Sequence, residues 1–190
     1  MQTDPPPDFA PLFTPRSIAV IGASATGGGV PSHFLRNLRA TSFPGRVYAV
    51  HPSAETGEGW PAFPTIADLP EPVDYAYVAV AAARTPDLLR AAAGRIRFAQ
   101  VISSGFSETG EAALEADLVA ACREGGMRLI GPNCLGLHSQ RGSVSFMDRV
   151  QMQPGGVGVL SQSGGLGAAG LGLLRALQEA DSPSLAEDVA

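Results

Sequence analysis

Short apolar runs and stretches of helical spacing alternate along this chain. Ile18–Ile21 is the first β-rich run, and a glycine turn follows it. Val30 to Ala40 then places Phe34, Leu35 and Leu38 at helical intervals. Phe43-Pro44-Gly45 breaks that pattern, and Arg46–Val50 reads as a second strand ended by His51-Pro52. Ser53 to Pro64 reads as a loop, and Thr65 to Leu69 as one helical turn closed by Pro70 and Pro72. Asp74–Val80, DYAYVAV, is nearly all apolar, which suits a strand buried on both faces of a parallel sheet. Thr85 to Ala93 predicts a helix with Thr85 as its cap and Pro86 at its first position. Phe98–Ser103 is the fourth strand, Ser104 to Gly110 a polar loop, Glu111 to Glu124 a helix, and Met127–Ile130 a fifth strand.

Strands that alternate with helices predict an α/β fold, a doubly wound parallel sheet of the Rossmann type. Right-handed crossovers bring every strand-to-helix loop to one edge of such a sheet, where ligands bind at the switch point. The loops to search for function are therefore 22–29, 51–53, 81–84, 103–110 and 131–136. Residues 1–14 are Pro-rich and predict a mobile arm, 15–136 the Rossmann-type domain, and 137–154 a linker. In 155–190 one strand, Val157–Leu160, turns through SQSGG into a helix from Leu166 to about Glu179. One strand and one helix cannot bury their own faces, so this stretch is expected to be the truncated start of a second domain.

Composition narrows the chemistry. The 190 residues carry a net charge of −5, with 45% hydrophobic and 16% charged residues. There is no basic stripe to suit nucleic acid. No lysine occurs, so every permanent side-chain cation is Arg, and a phosphate loop of the Walker type is excluded. The longest apolar run, Tyr75 to Ala83, is far below the ~18 residues that span a bilayer. The start, MQTDPPPDFAP, lacks an apolar signal-peptide core. Two cysteines, Cys122 and Cys134, imply no disulfide framework, and a cytoplasmic setting is expected. No His and Cys pair has metal-ligand spacing, so no metal site is expected.

The turn Gly22-x-Ser24-x-x-Gly27 opens a helix directly after a strand, the layout in which free backbone N–H groups hold a phosphate. A tight turn with no ligand has the same pattern. A nicotinamide site usually carries an acid at the end of the second strand; here His51-Pro52 stand there, which argues against an NAD(P)-dependent oxidoreductase and leaves it an alternative. His51 can cover an adenine ring, contact a phosphate, or simply end the strand. No G-x-S-x-G elbow occurs at Ser104, Ser107, Ser161 or Ser163. Cys134 is either a reactive thiol or a small residue in a tight loop. Ser161, Ser163, Gly164 and Gly165 place two hydroxyls beside a helix start and suit an anion, although one Ser is enough for a cap.

Taken together and in order, PRSIAVIGAS (15–24), VYAVHP (47–52), ISSGFSETG (102–110), GPNCLG (131–136) and SQSGGLG (161–167) resemble the NDP-forming acyl-CoA synthetases. These are relatives of the succinyl-CoA ligase α-subunit, and the ADP-forming acetate–CoA ligase branch is the most similar. The resemblance implies that the domain ending near residue 136 binds coenzyme A and that SQSGG begins a flavodoxin-like ligase domain. It implies that Gly22, Ala23 and Ser24 face the phosphates, with Arg46 the candidate partner of the 3′-phosphate. His51, Pro52, Val80 and Ala81 would lie by the nucleotide, Ser103, Ser104 and Gly105 by the pantetheine, and Asn133 and Cys134 near the thiol. The family passes a phosphoryl group from acyl phosphate through a histidine to ADP in an ATP-grasp domain or β-subunit. Ser161, Ser163, Gly164 and Gly165 match the loop that supports the phosphohistidine, but His33, His51 and His138 do not match that histidine. ADP or ATP and Mg would enter only through other domains, so the chain alone is expected to bind coenzyme A or acyl-CoA without turnover. A stand-alone coenzyme A-binding regulatory module, or the corresponding part of a protein acetyltransferase, is the alternative.

Overall fold

The apolar runs assemble into one parallel sheet wound on both sides. The computed structural model describes residues 8–23, 27–53, 55–147 and 158–170. The chain divides into two units, 1–154 and 155–190. In the first, α1 (Ala10–Phe13) precedes β1 (Ser17–Ile21), α2 (Gly29–Ala40) and β2 (Arg46–Val50). Then come β3 (Thr56–Gly57), β4 (Trp60–Phe63), β5 (Val73–Val78), α3 (Thr85–Ala91) and β6 (Ile96–Val101). α4 (Ala112–Glu124), β7 (Arg128–Ile130), β8 (His138–Ser139) and β9 (Val144–Ser145) complete it.

The strand order is β3-β4-β2-β1-β5-β6-β7, parallel throughout except for β3 against β4. Counting only the parallel strands, this is the 3-2-1-4-5-6 order of dinucleotide-binding folds, with its switch point between β1 and β5. Strand alternation sends Ala19, Ile21, Ala76 and Val78 to one face, under Leu89 of α3 and Leu118 of α4. Ile18, Val20, Tyr75 and Tyr77 point to the other face, under Phe34, Leu35 and Leu38 of α2. Phe34 stacks on Tyr77 with ring centroids 4.2 Å apart, which fixes α2 over the central strands.

Three expectations are corrected. The arm holds helix α1 at residues 10–13: Asp8 Oδ1 accepts the Ala10 N–H at 2.9 Å, and Leu12 is buried in the α2-side core. Residues 1–7 lie outside the described part. The loop 53–64 holds a hairpin whose two turn residues, Glu58 and Gly59, both have positive φ, the geometry that matches strand twist. The linker begins instead as the β8–β9 ribbon. Val144 is buried in the α2-side core, Thr41 Oγ1 donates to the Ser143 carbonyl at 2.6 Å, and Ser139 Oγ donates to the Phe13 carbonyl. Residues 148–154 lie outside the described part. Smaller differences concern ends. Residues 65–69 make hydrogen-bonded turns rather than a helix, and Thr85 is the first helical residue, its Oγ1 donating back to the Ala81 carbonyl at 3.2 Å.

In the second unit, residues 158–160 are not in a strand, and among the described residues no strand pairs with them. Residues 164–170 are helical, and Ser163 is their cap. Val157 and the rest of the expected helix, 171–179, lie outside the described residues.

Candidate functional site

The carboxyl ends of β1 and β5 set the geometry. Gly22 ends β1 with φ +92°, a conformation open to Gly and costly for other residues. A Cβ built on it would collide with the Ala79 carbonyl oxygen at the end of β5. The missing side chain is therefore what lets the two strands meet at the switch point. Ala23 is buried beside it. Ser24 lies outside the described residues. Gly27, Gly28 and Gly29 carry the chain into α2 with positive φ, and the first turn of α2 has no acidic residue. Its free N–H groups and positive dipole end thus face no acid of their own helix. Glu58 does reach this turn: a Cβ on Gly27 would lie 3.2 Å from its Oε1. Arg36 balances that charge with an ion pair of 2.8 Å.

The loops after β5, β6 and β7 are tied into one row. Ser103 Oγ donates to the Val80 carbonyl, and the Ser103 carbonyl accepts the Asn133 N–H at 3.0 Å. Ala81 and Ser104 are exposed, while Val80, Ser103, Gly105 and Cys134 are half-buried. Asn133 is exposed with φ +51°. Beneath this row runs a buried polar chain that sequence reasoning missed. The Tyr75 hydroxyl donates to Gln100 Oε1, and Gln100 Nε2 donates to the Cys134 carbonyl at 2.7 Å. A polar Gln in the otherwise apolar run FAQVI was the available signal, because a buried amide must find partners.

Glu108 holds the loop after β6. Its carboxylate accepts the N–H groups of Gly105 at 2.6 Å and Phe106 at 3.2 Å. The Gly105 N–H foremost holds the Glu108 carboxyl below the usual carboxylate range. A depressed folded pKa stabilises the loop above the unfolded value, and the effect is lost as pH falls through the folded one. Amide exchange at Gly105 and Phe106 is expected to speed up, relative to helix α4, only below the ordinary carboxylate range. A Glu108→Gln variant should show that fast exchange at neutral pH. Unchanged exchange in the variant would show that the carboxylate does not hold the loop.

His51 also reaches this edge: its backbone N–H donates to the Phe63 carbonyl at 2.9 Å, and its Nδ1 accepts the Ser53 N–H at 3.2 Å. Its Nε2 is then the nitrogen left to carry a proton in the neutral ring. Pro52 is exposed beside it. The structure thus brings Gly22, Ala23, His51, Pro52, Val80, Ala81, Ser103, Ser104, Gly105, Asn133 and Cys134 to one edge of the sheet. Arg46 is not among them. It is the first residue of β2, at the opposite edge, and it is bound to Glu71 together with Tyr48. The expectation that Arg46 meets the 3′-phosphate is therefore corrected on position: β2 separates the two edges.

In the second unit the serines bond within their own loop. Ser163 Oγ accepts the Leu166 N–H at 3.3 Å as a helix cap, and Ser161 Oγ donates to the Ser163 carbonyl at 2.8 Å. Gly164 and Gly165 stand in the first helical turn. Among the described residues no group of His, Cys, Asp and Glu is placed to hold a metal ion, and no helix is long and apolar enough to cross a membrane.

A parallel sheet in this order, with a glycine turn at its switch point, defines the dinucleotide-type class of phosphate-binding folds. Residues 16–140 match the family described as CoA binding domain, and the chain belongs to that family. It is 35% identical over 184 residues to an ADP-forming acetate–CoA ligase II of Archaeoglobus fulgidus, covering 94% of this chain and 27% of that protein. It is 32% identical to the α-subunit of an ADP-forming acetate–CoA ligase I of Pyrococcus furiosus, covering 85% of this chain and 37% of that one. Among solved structures, the dinucleotide-forming acetyl-coenzyme A synthetase 1 of Ca. Korarchaeum cryptofilum, in complex with phosphate and ADP, superposes with a TM-score of 0.75 at 35% identity. That match covers 87% of this chain and 36% of the other. The chain spans between about a quarter and two fifths of the length of these relatives.

Proposed function

We propose that this chain binds coenzyme A across the carboxyl edge of its sheet and forms that part of an ADP-forming acyl-CoA ligase. The observation that carries the reading is the family match over 16–140, which spans the switch-point turn and all five loops of the edge. The edge suits the ligand: a glycine at 22 that lets β1 and β5 meet at the switch point, and a helix start with no acid in its own first turn. Gly22, Ala23 and Ser24 take the phosphates there, and His51, Pro52, Val80 and Ala81 border the nucleotide. Ser103, Ser104 and Gly105 line the pantetheine, and Asn133 and Cys134 lie by the thiol.

In the whole ligase, acyl-CoA and phosphate give acyl phosphate and free coenzyme A, and the phosphoryl group moves through a histidine to ADP. Ser161, Ser163, Gly164 and Gly165 support that phosphohistidine in our reading. In the family that histidine lies well beyond SQSGG, and ADP and Mg enter through an ATP-grasp domain or β-subunit. A relative named as an α-subunit supports a partner subunit.

Calorimetry of the 190-residue chain with coenzyme A, dephospho-CoA and NADH tests this reading. Saturable binding of coenzyme A and none of NADH is expected; tight NADH binding without coenzyme A binding would replace the reading with the oxidoreductase one. A thiol probe gives a second check. Cys122 is 2% exposed, and burial pushes its thiol up to about 11, so it should stay unlabelled near neutral pH. Coenzyme A is expected to slow alkylation of half-buried Cys134 severalfold. An unaltered labelling rate at saturating ligand would place the thiol end elsewhere.

A further inference from the structure

Coenzyme A brings several negative charges to a chain that is itself at −5 and has no lysine. Its counter-charge must come from arginine or backbone N–H groups. Most arginines are already committed. Arg16 and Arg97 pair with Asp74, Arg36 with Glu58, Arg46 with Glu71, and Arg90 with Asp117. Arg39 and Arg95 donate to the carbonyls of Glu58 and Leu69, and the Arg128 guanidinium lies over the Phe9 ring. Arg149 and Arg175 lie outside the described residues. Three guanidinium groups remain without a hydrogen bond or ion pair among the described residues: Arg84, Arg123 and Arg141.

Position separates these three. Arg123 is in the last turn of α4, which leads into the start of β7 and so sits at the amino edge of the sheet. Arg141 is in the turn of the β8–β9 ribbon, where Gly142 packs against Phe13 ahead of β1, again at the amino edge. Arg84 alone is at the carboxyl edge. It closes the short helical turn Ala82–Arg84 that follows β5, with its N–H on the Ala81 carbonyl at 2.9 Å. That turn begins three residues after Ala79, the residue whose carbonyl Gly22 abuts. Arg84 therefore stands at the carboxyl edge just past β5, in a turn whose Ala82 lies against Gly105 of the loop after β6, exposed and without an acid of its own.

We propose that Arg84 takes a phosphate group of bound coenzyme A, the 3′-phosphate or the diphosphate, in the role the family resemblance suggested for Arg46. The assignment rests on the coenzyme A reading above. A planar guanidinium can hold a phosphate with two parallel N–H bonds, a geometry the ammonium of Lys does not reproduce. Because the site is exposed, salt screens it and the gain per contact is moderate.

The test is calorimetry of the wild-type chain, Arg84→Gln and Arg84→Lys with coenzyme A and dephospho-CoA, at low and at high salt. Arg84→Gln is expected to weaken coenzyme A binding by about five- to tenfold at low salt, less than a fully desolvated charge-assisted hydrogen bond gives because solvent screens this exposed pair. Arg84→Lys should recover part of that loss, and high salt should narrow the gap. A loss confined to coenzyme A identifies the 3′-phosphate as the partner; an equal loss with dephospho-CoA identifies the diphosphate. Wild-type binding that Arg84→Gln leaves unchanged overturns the assignment while keeping the coenzyme A reading. A wild-type chain that does not bind coenzyme A overturns both. Equal melting temperatures of the three chains show that folding is not what changed.

Discussion

Gly22→Ala is expected to cost the protein about 2–5 kcal/mol and to weaken coenzyme A binding at least tenfold. The new Cβ meets the Ala79 carbonyl at the switch point, and the backbone there is held at φ +92°. A strained positive φ costs about 1–3 kcal/mol, and overpacking a filled site costs about as much again. The clash also pushes β1 away from β5 where the phosphates are read to lie, so affinity should fall together with stability. Urea unfolding and calorimetry of the variant check this. If the variant kept wild-type stability, the turn would have to be looser than the structure shows. If it lost stability alone, phosphate binding would not depend on that close approach.

The second large effect is expected at Phe106. Phe106→Ala should lose about 3–5 kcal/mol, the usual range for a buried aromatic. The ring is fully buried in the core beneath α3 and α4, although it sits in a loop between Gly105 and Ser107. It anchors the segment whose start borders the pantetheine, so coenzyme A affinity should also decline. Amide exchange should accelerate first over 103–110. A loss below about 1 kcal/mol would show that the core closes over the gap, which the fully buried ring argues against.

These two residues show what could be read from the chain and what could not. Strands β1, β2, β5, β6 and β7 and helices α2, α3 and α4 are local events: buried runs such as DYAYVAV and helical spacing at Phe34, Leu35 and Leu38 mark them without help from distant residues. Their order in the chain was enough for the doubly wound sheet and for the edge where ligands bind. The β8–β9 ribbon has two residues per strand and depends on Thr41 and Phe13, about a hundred residues away, so no local pattern shows it. The β3–β4 hairpin hides because Glu58-Gly59 is an unusual turn pair and Pro61 interrupts the strand pattern. Phe106 looked like one apolar residue in a polar loop, because burial of a loop side chain depends on the helices that later cover it. Arg46 is a different case. The sequence already showed it as the first residue of its strand, at the end away from the ligand loops, so its position was legible before the structure.

The central claim is that coenzyme A lies along the carboxyl ends of the strands. Backbone amide shifts of the isotope-labelled chain during a coenzyme A titration test it most directly. The account predicts saturable shifts clustered at Gly22, Gly28, Ala81, Arg84, Gly105 and Cys134. Saturable shifts clustered instead at Arg46, Arg97 and Arg128, on the opposite edge, would contradict it.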